Sequence, residues 1–207
     1  MARLAEEVIK RIKQDVSLVR LVETFGVQLK KHGKDYLGHC PFHDDKTPSF
    51  VVSPVSNLWH CLGACGEGGS VIDWVIRTQG VSFRHAVELL RNDHLPSLAA
   101  IAADTPVKQS TVPKLDSPVS EHADDQALLQ QVIDYYHETL KQSPEALAYL
   151  QKRGLDDAAL MEYFKLGHAN RTLGLRLPLK NRKAGAEIRS QLQRIGLYRE
   201  SGHEHFN

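Results

Sequence analysis

Residues 38–69 read "GHCPFHDDKTPSFVVSPVSNLWHCLGACGEGG", and this window holds all three cysteines of the 207-residue chain, with histidines 39, 43 and 60. Cys40 and His43 stand as C-x₂-H and Cys61 and Cys65 as C-x₃-C, with 17 residues between the pairs. Tetrahedral Zn²⁺ takes four nitrogen or sulfur ligands, usually as two close pairs carried by two turns. Glycines 63, 66, 68 and 69 crowd the second pair and permit the bends such a turn needs. The spacing therefore predicts two facing knuckles on one Zn²⁺ held by Cys40, His43, Cys61 and Cys65. Four protein ligands leave no open position, so the ion is expected to be structural and to hold a small sheet together. His39 and His60 each adjoin a ligand and are alternatives in principle, but His43 has the better spacing to Cys40.

Working outward, "VQLKKHGKDYLGHC" predicts two short strands around Gly33, and "PSFVVS" and "NLWHC" predict two more. Upstream, apolar residues from Val8 to Phe25 recur at near-helical spacing, with a stop at Gly26 and a possible restart near Asp15. Downstream, "GEGGS" reads as the turn leaving the knuckle. Ser70 to Asp73 fits a capping box opening the helix "VIDWVIRTQ", which Gly80 closes, and Ser82 caps "FRHAVELLRND". Residues 96–123 are rich in Pro, Ser, Thr and Ala and read as a flexible linker. Order returns with "DDQALLQQVIDYYHETLKQ". Ser143-Pro144 opens a second helix that Gly154 closes, and "DDAALMEYFKLG" makes a third.

Three cysteines cannot all pair, and nothing in the composition points outside the cell. A metal site in the cytoplasm explains them better than a disulfide framework. The charged start "MARLAEEVIKRIKQD" does not resemble a secretory signal, and no run of about 18 apolar residues exists. The net charge of +1 hides a gradient. Residues 171–207 carry 8 Lys/Arg against 3 Asp/Glu, a basic stretch that tracks phosphates or simply solvates a surface. No Ser-His-acid arrangement or Gly-x-x-x-x-Gly-Lys loop is present, and cysteines committed to a metal are not free nucleophiles. Lys46, Thr47 and Ser49 can donate to phosphate. Phe50 and Trp59 offer faces for base stacking, although aromatics in so small a sheet read first as core.

"CPFHDDKTPSF", then "LWHCLGACGEGGSVIDWV" and "VSFRHAVELL", resembles the N-terminal zinc-binding domain of bacterial DnaG-type DNA primases over roughly residues 5–95. More weakly, "DYYHETL", "ALAYLQKRGLDDAALMEYFKLGHA" and "LQRIGL" resemble the start of the primase polymerase domain. The resemblance implies an α+β chain. A zinc ribbon, a small antiparallel sheet with flanking helices, occupies 1–95, a linker 96–123, and a mainly helical basic domain 124–207. It also implies template binding and initiation of RNA primers on single-stranded DNA. Lys46, Thr47, Ser49, Phe50 and Trp59 are then candidates for template contact, and Arg176, Lys180, Arg182 and Lys183 for a basic groove. A replicative helicase is the further partner it implies.

Two departures stand out. The C-x₃-C knuckle is one residue longer than the commoner C-x₂-C, which points toward a primase of a phage, plasmid or other mobile element. The Glu and Asp-x-Asp constellation that holds Mg²⁺ in the family's Toprim fold is not found after residue 123. Asp124-Asp125 and Asp156-Asp157 read instead as helix-start carboxylates. No catalytic residue is assigned, and Mg²⁺ is expected only with a catalytic part. The chain reads as the N-terminal portion of a longer primase, or as a non-catalytic nucleic-acid-binding adaptor that recruits a helicase or polymerase. A blander alternative is a protein–protein module stapled by its metal.

Overall fold

The computed structural model describes residues 4–91 and 115–205. The part of the expected linker from 96 to 114 lies outside the described residues. The described residues divide into two compact units, one built on 4–79 and 86–91 and the other on 80–85 and 115–205.

The first unit is a five-stranded antiparallel meander in the order β1 to β5: Lys30–His32, Asp35–Gly38, Phe50–Ser53, Leu58–Cys61 and Gly68–Gly69. Gly33, at φ +62°, makes the first hairpin turn in a conformation other residues resist. Registers Gly38↔Phe50↔Cys61 and Tyr36↔Val52↔Trp59 set one face of the sheet. On that face Phe50, Val52, Trp59 and Cys61 are buried, while Leu58 and His60 point to the exposed side. Period-two alternation explains the division. The edge strand β1 carries Lys30, Lys31 and His32, all exposed, and such charges discourage edge-to-edge pairing.

One strand was not expected. Gly68–Gly69, read as a turn, pairs with Trp59 and His60 as β5. A Cβ on Gly68 would stand 2.6 Å from His60 Nδ1, and one on Gly69 2.5 Å from Asp73 Cβ, so only bare backbone fits there.

The apolar pattern before Gly26 forms two helices, α1 (Glu6–Asp15) and α2 (Leu18–Thr24). Asn57, in the β3–β4 turn at φ +53°, fastens the break between them. Its Nδ2 donates to the carbonyls of Lys13 (2.8 Å) and Val16 (2.7 Å), and its Oδ1 accepts from Leu18 N–H (2.9 Å). In α3 (Val71–Gln79) Ser70 is the cap, but only half of the expected box forms. Asp73 Oδ2 accepts from Ser70 N–H and from Ser70 Oγ, both at 2.7 Å. Trp74 of α3 is fully buried, with ring centroids 5.3 Å from Phe42, 5.5 Å from Phe50, 5.9 Å from Trp59 and 6.0 Å from Phe25. Helix α4 (Phe83–Arg91) begins at Ser82, whose Oγ accepts from His85 N–H at 3.1 Å.

The second unit is helical: α5 (Asp125–Lys141), α6 (Pro144–Lys152), α7 (Ala158–Tyr163), α8 (Leu173–Arg176) and α9 (Lys183–Arg194). Asp124 caps α5 through Ala127 N–H and Asp157 caps α7 through Leu160 N–H, the roles expected of those carboxylates. Leu128, Val132, Leu173, Ile188 and Leu192 form its core. Val119, near the end of the expected linker, is buried in that core at 6% exposed, while most of its neighbours in 115–123 are exposed.

The basic segment is fastened from within. Arg189 Nη1 donates to the carbonyls of Pro178 (2.6 Å) and Gly185 (2.9 Å), and its Nη2 to that of Gly174 (3.2 Å). A Cβ on Gly185 would meet the Leu179 carbonyl, so α9 approaches this turn as closely as a backbone can. Glu204, 4% exposed, accepts from Tyr136 Oη (2.9 Å) and Leu173 N–H (3.0 Å) and so ties the end of the described chain to α5 and α8. Burial pushes its carboxyl up from the usual range, against those hydrogen bonds. Among the described residues no helix is long and apolar enough to cross a membrane.

Candidate metal centre

Strand β2 delivers Cys40 just past its end, and the Pro41–Phe42 turn brings back His43. Strand β4 ends on Cys61, and the knuckle Leu62–Ala64 returns Cys65. All four side chains are buried, and their ligand atoms lie within 4.8 Å of one another. Cys40 Sγ is 3.7 Å from Cys65 Sγ, and Cys61 Sγ is 3.8 Å from His43 Nδ1. Four donors at about 2.0–2.3 Å from a shared ion define tetrahedron edges of about 3.6–3.8 Å. Three thiols and one imidazole at these separations fit a structural zinc ion. The Cys40–Cys65 hydrogen bond pulls the Cys65 thiol down to about 4 and, with burial, pushes Cys40 up. The thiolate is the form that binds metal.

The role of Asp45 was not singled out from sequence. Asp45 Oδ1 sits 3.6 Å from His43 Nε2, the ring nitrogen facing away from the sulfurs, while Asp45 Oδ2 accepts from Cys40 N–H (3.1 Å) and Ser49 Oγ (2.6 Å). Burial raises the Asp45 carboxyl, but these donors and the neighbouring His43 bring it below the usual carboxylate range. A carboxylate two residues after a ligating histidine was the available signal. Gly63 donates its N–H to Cys61 Sγ at 3.2 Å, and a Cβ there would stand 2.7 Å from Ser49 Oγ and 2.8 Å from His43 Nε2. Asp45→Ala is expected to lower zinc affinity about 10- to 100-fold with the sheet intact in excess zinc, read by competition with a chromogenic chelator. Unchanged affinity would remove Asp45 from the centre.

The candidates for nucleic-acid contact divide. Lys46 and Thr47 are exposed beside the centre. Phe50 and Trp59 are 0% and 3% exposed and pack on Trp74, so the stacking roles expected of them fall: their strand positions face the helices. Ser49 is turned inward onto Asp45, and its Oγ is 3.5 Å from Cys61 Sγ, which ties it to the centre rather than to an outside ligand. Lys180, Arg182 and Lys183 are exposed at the turn into α9, whereas Arg176 is half-buried with its guanidinium 5.5 Å from the Tyr135 ring.

A small antiparallel sheet with a Cys₃His centre between two knuckles is the architecture of a zinc ribbon. Residues 4–102 match the family described as the CHC2 zinc finger, of the DnaG zinc-ribbon type, and belong to it. Beyond that segment, the chain is homologous to bacterial DNA primases over most of its length. It is 36% identical to the DNA primase of Listeria monocytogenes over 173 residues, covering 82% of this chain and 26% of that protein. It is 34% identical to the DNA primase of Geobacillus stearothermophilus over 174 residues, covering 81% and 27%. The chain thus spans about a quarter of the length of these curated relatives. A crystal structure of the zinc-binding and RNA polymerase domains of the Aquifex aeolicus primase aligns at TM-score 0.40 with 27% identity, over 87% of this chain and 40% of that one.

Proposed function

We propose that this chain is the template-binding and initiation part of a DNA primase. The observation that carries the reading is the DnaG-type zinc centre with Lys46 and Thr47 exposed on the loop between two of its ligands and the next strand. The metal fixes that loop through Cys40 and His43, so a phosphate contact there would be preorganised. Lys30, His32 and His60 on the solvent side of the sheet extend a face that single-stranded DNA could follow. In the helical unit, Lys180, Arg182 and Lys183 offer a second run of cations. Primer synthesis belongs to a whole primase, in which Mg²⁺ would be held by a catalytic fold and a replicative helicase would be the partner.

The zinc-loaded chain is expected to bind single-stranded DNA at low salt and to lose affinity when chelated. Lys46→Ala should weaken binding and flatten the log–log salt slope by about 0.7 while zinc content stays unchanged. Fluorescence anisotropy across a salt series measures both. Absence of binding by the zinc-loaded chain overturns the reading.

A further inference from the structure

We infer that Leu62, at the crest of the second knuckle, is an apolar wedge that packs against a base of the single-stranded template. The inference rests on the template-binding reading and adds a base contact to its phosphate contacts.

Leu62 is 72% exposed although it follows a fully buried cysteine in the chain. The backbone that presents it is held at every side. Leu62 N–H donates to Ser49 O (2.9 Å), Cys61 N–H to Glu67 O (2.7 Å), and Gly66 N–H to Gly63 O (3.2 Å). Gly63 N–H is fixed on Cys61 Sγ, and the knuckle begins and ends on buried members of the Cys₃His group. A large apolar side chain on a rigid tether loses little backbone freedom on binding, which separates this residue from an incidental surface leucine. Val55, equally apolar and 85% exposed, lies in the β3–β4 turn, which is braced through Asn57 and stands apart from the metal-binding group and from Lys46 and Thr47 in the chain.

Its surroundings indicate the ligand. The bond to Ser49 O places Leu62 beside the segment Lys46–Ser49, where Lys46, Thr47 and Pro48 are exposed. A cation and a hydroxyl able to hold a phosphate therefore lie next to an apolar crest able to hold a base face. That pairing matches a strand with unstacked bases, because a backbone contact and a base contact recur with each nucleotide. A protein partner would need a broader apolar patch, and here the neighbouring knuckle residues are Gly63 and Ala64.

The test uses the full zinc-loaded chain and two labelled probes, a single-stranded oligodeoxynucleotide and the same strand carrying abasic sites. Leu62→Ala is expected to weaken binding to the base-bearing strand about four- to fifteenfold, the effect of losing one or two methylenes' worth of burial. Binding to the abasic strand and the salt slope should not change, and Leu62→Phe should restore or raise affinity for the base-bearing strand. Equal binding of wild type and Leu62→Ala to the base-bearing strand overturns the wedge. So does an equal loss on both probes, because the contact would then not be to a base. If the wild type binds neither probe, the template reading itself fails and takes the wedge with it. Zinc content of each variant shows that the knuckle remains formed.

Discussion

Chelating the metal is expected to unfold the zinc unit and leave the helical unit standing. The zinc unit's strands are only two to four residues long, so few ladder bonds hold the sheet, and the turns that carry Cys40, His43, Cys61 and Cys65 have no ties among the described residues comparable to a shared ion. Structural zinc contributes about 10–16 kcal/mol of apparent binding in small domains, comparable to the whole stability of an ordinary one. The helical unit has its own core around Leu128, Leu173 and Leu192, which includes none of the four metal-group residues. Hydrogen exchange before and after chelation should show protection lost across Phe50–Cys61 and kept across α5 and α9. Protection surviving in β3 and β4 would show that the aromatic core suffices without the metal. Acid should act as chelator does, because protons compete for the thiolates and the imidazole, so zinc is released as pH falls.

Trp74→Ala is expected to cost about 3–5 kcal/mol in the zinc-loaded protein. Trp74 is fully buried and makes ring contacts with Phe25, Phe42, Phe50 and Trp59, so its removal opens a cavity where helix meets sheet. Trp74→Phe should cost far less. It keeps a ring in place and removes an indole N–H that is buried with no hydrogen-bond partner among the described residues. Urea unfolding of the two zinc-loaded variants separates them, and equal losses would point to shape rather than burial as the controlling factor.

The metal centre was legible because ligation imposes spacing on the chain itself. Two donor pairs each need a tight turn, and that requirement survives in the sequence as C-x₂-H and C-x₃-C. Strands β3 and β4 were legible because bulky residues alternate between turn signals, and β1 and β2 because Gly33 marks the turn between them. Strand β5 was not, since Gly68 and Gly69 carry no side chains to show a period. Phe50 and Trp59 read first as core, as they are, but the sequence left a stacking role open as well. Alternation shows that they share a face with Val52, but only α3 and Trp74 determine that this face is the inside. Glu204 and Arg189 look like solvated charges in a hydrophilic tail. Their hydrogen bonds reach groups 4 to 68 residues away, most of them beyond any local pattern.

Asn57 bears on the order in which the chain can settle. Helices α1 and α2 emerge before the β3–β4 hairpin during synthesis, yet the side chain that closes α1 and opens α2 lies 39 to 44 residues later. Short helices of ten and seven residues are marginal in isolation, so they have to wait for the β3–β4 hairpin to reach them. That hairpin runs directly into Cys61, a member of the metal-binding group. A segment made before the hairpin is thus expected to be fixed after it, and to share the metal centre's fate through Asn57 rather than through any ligand of its own.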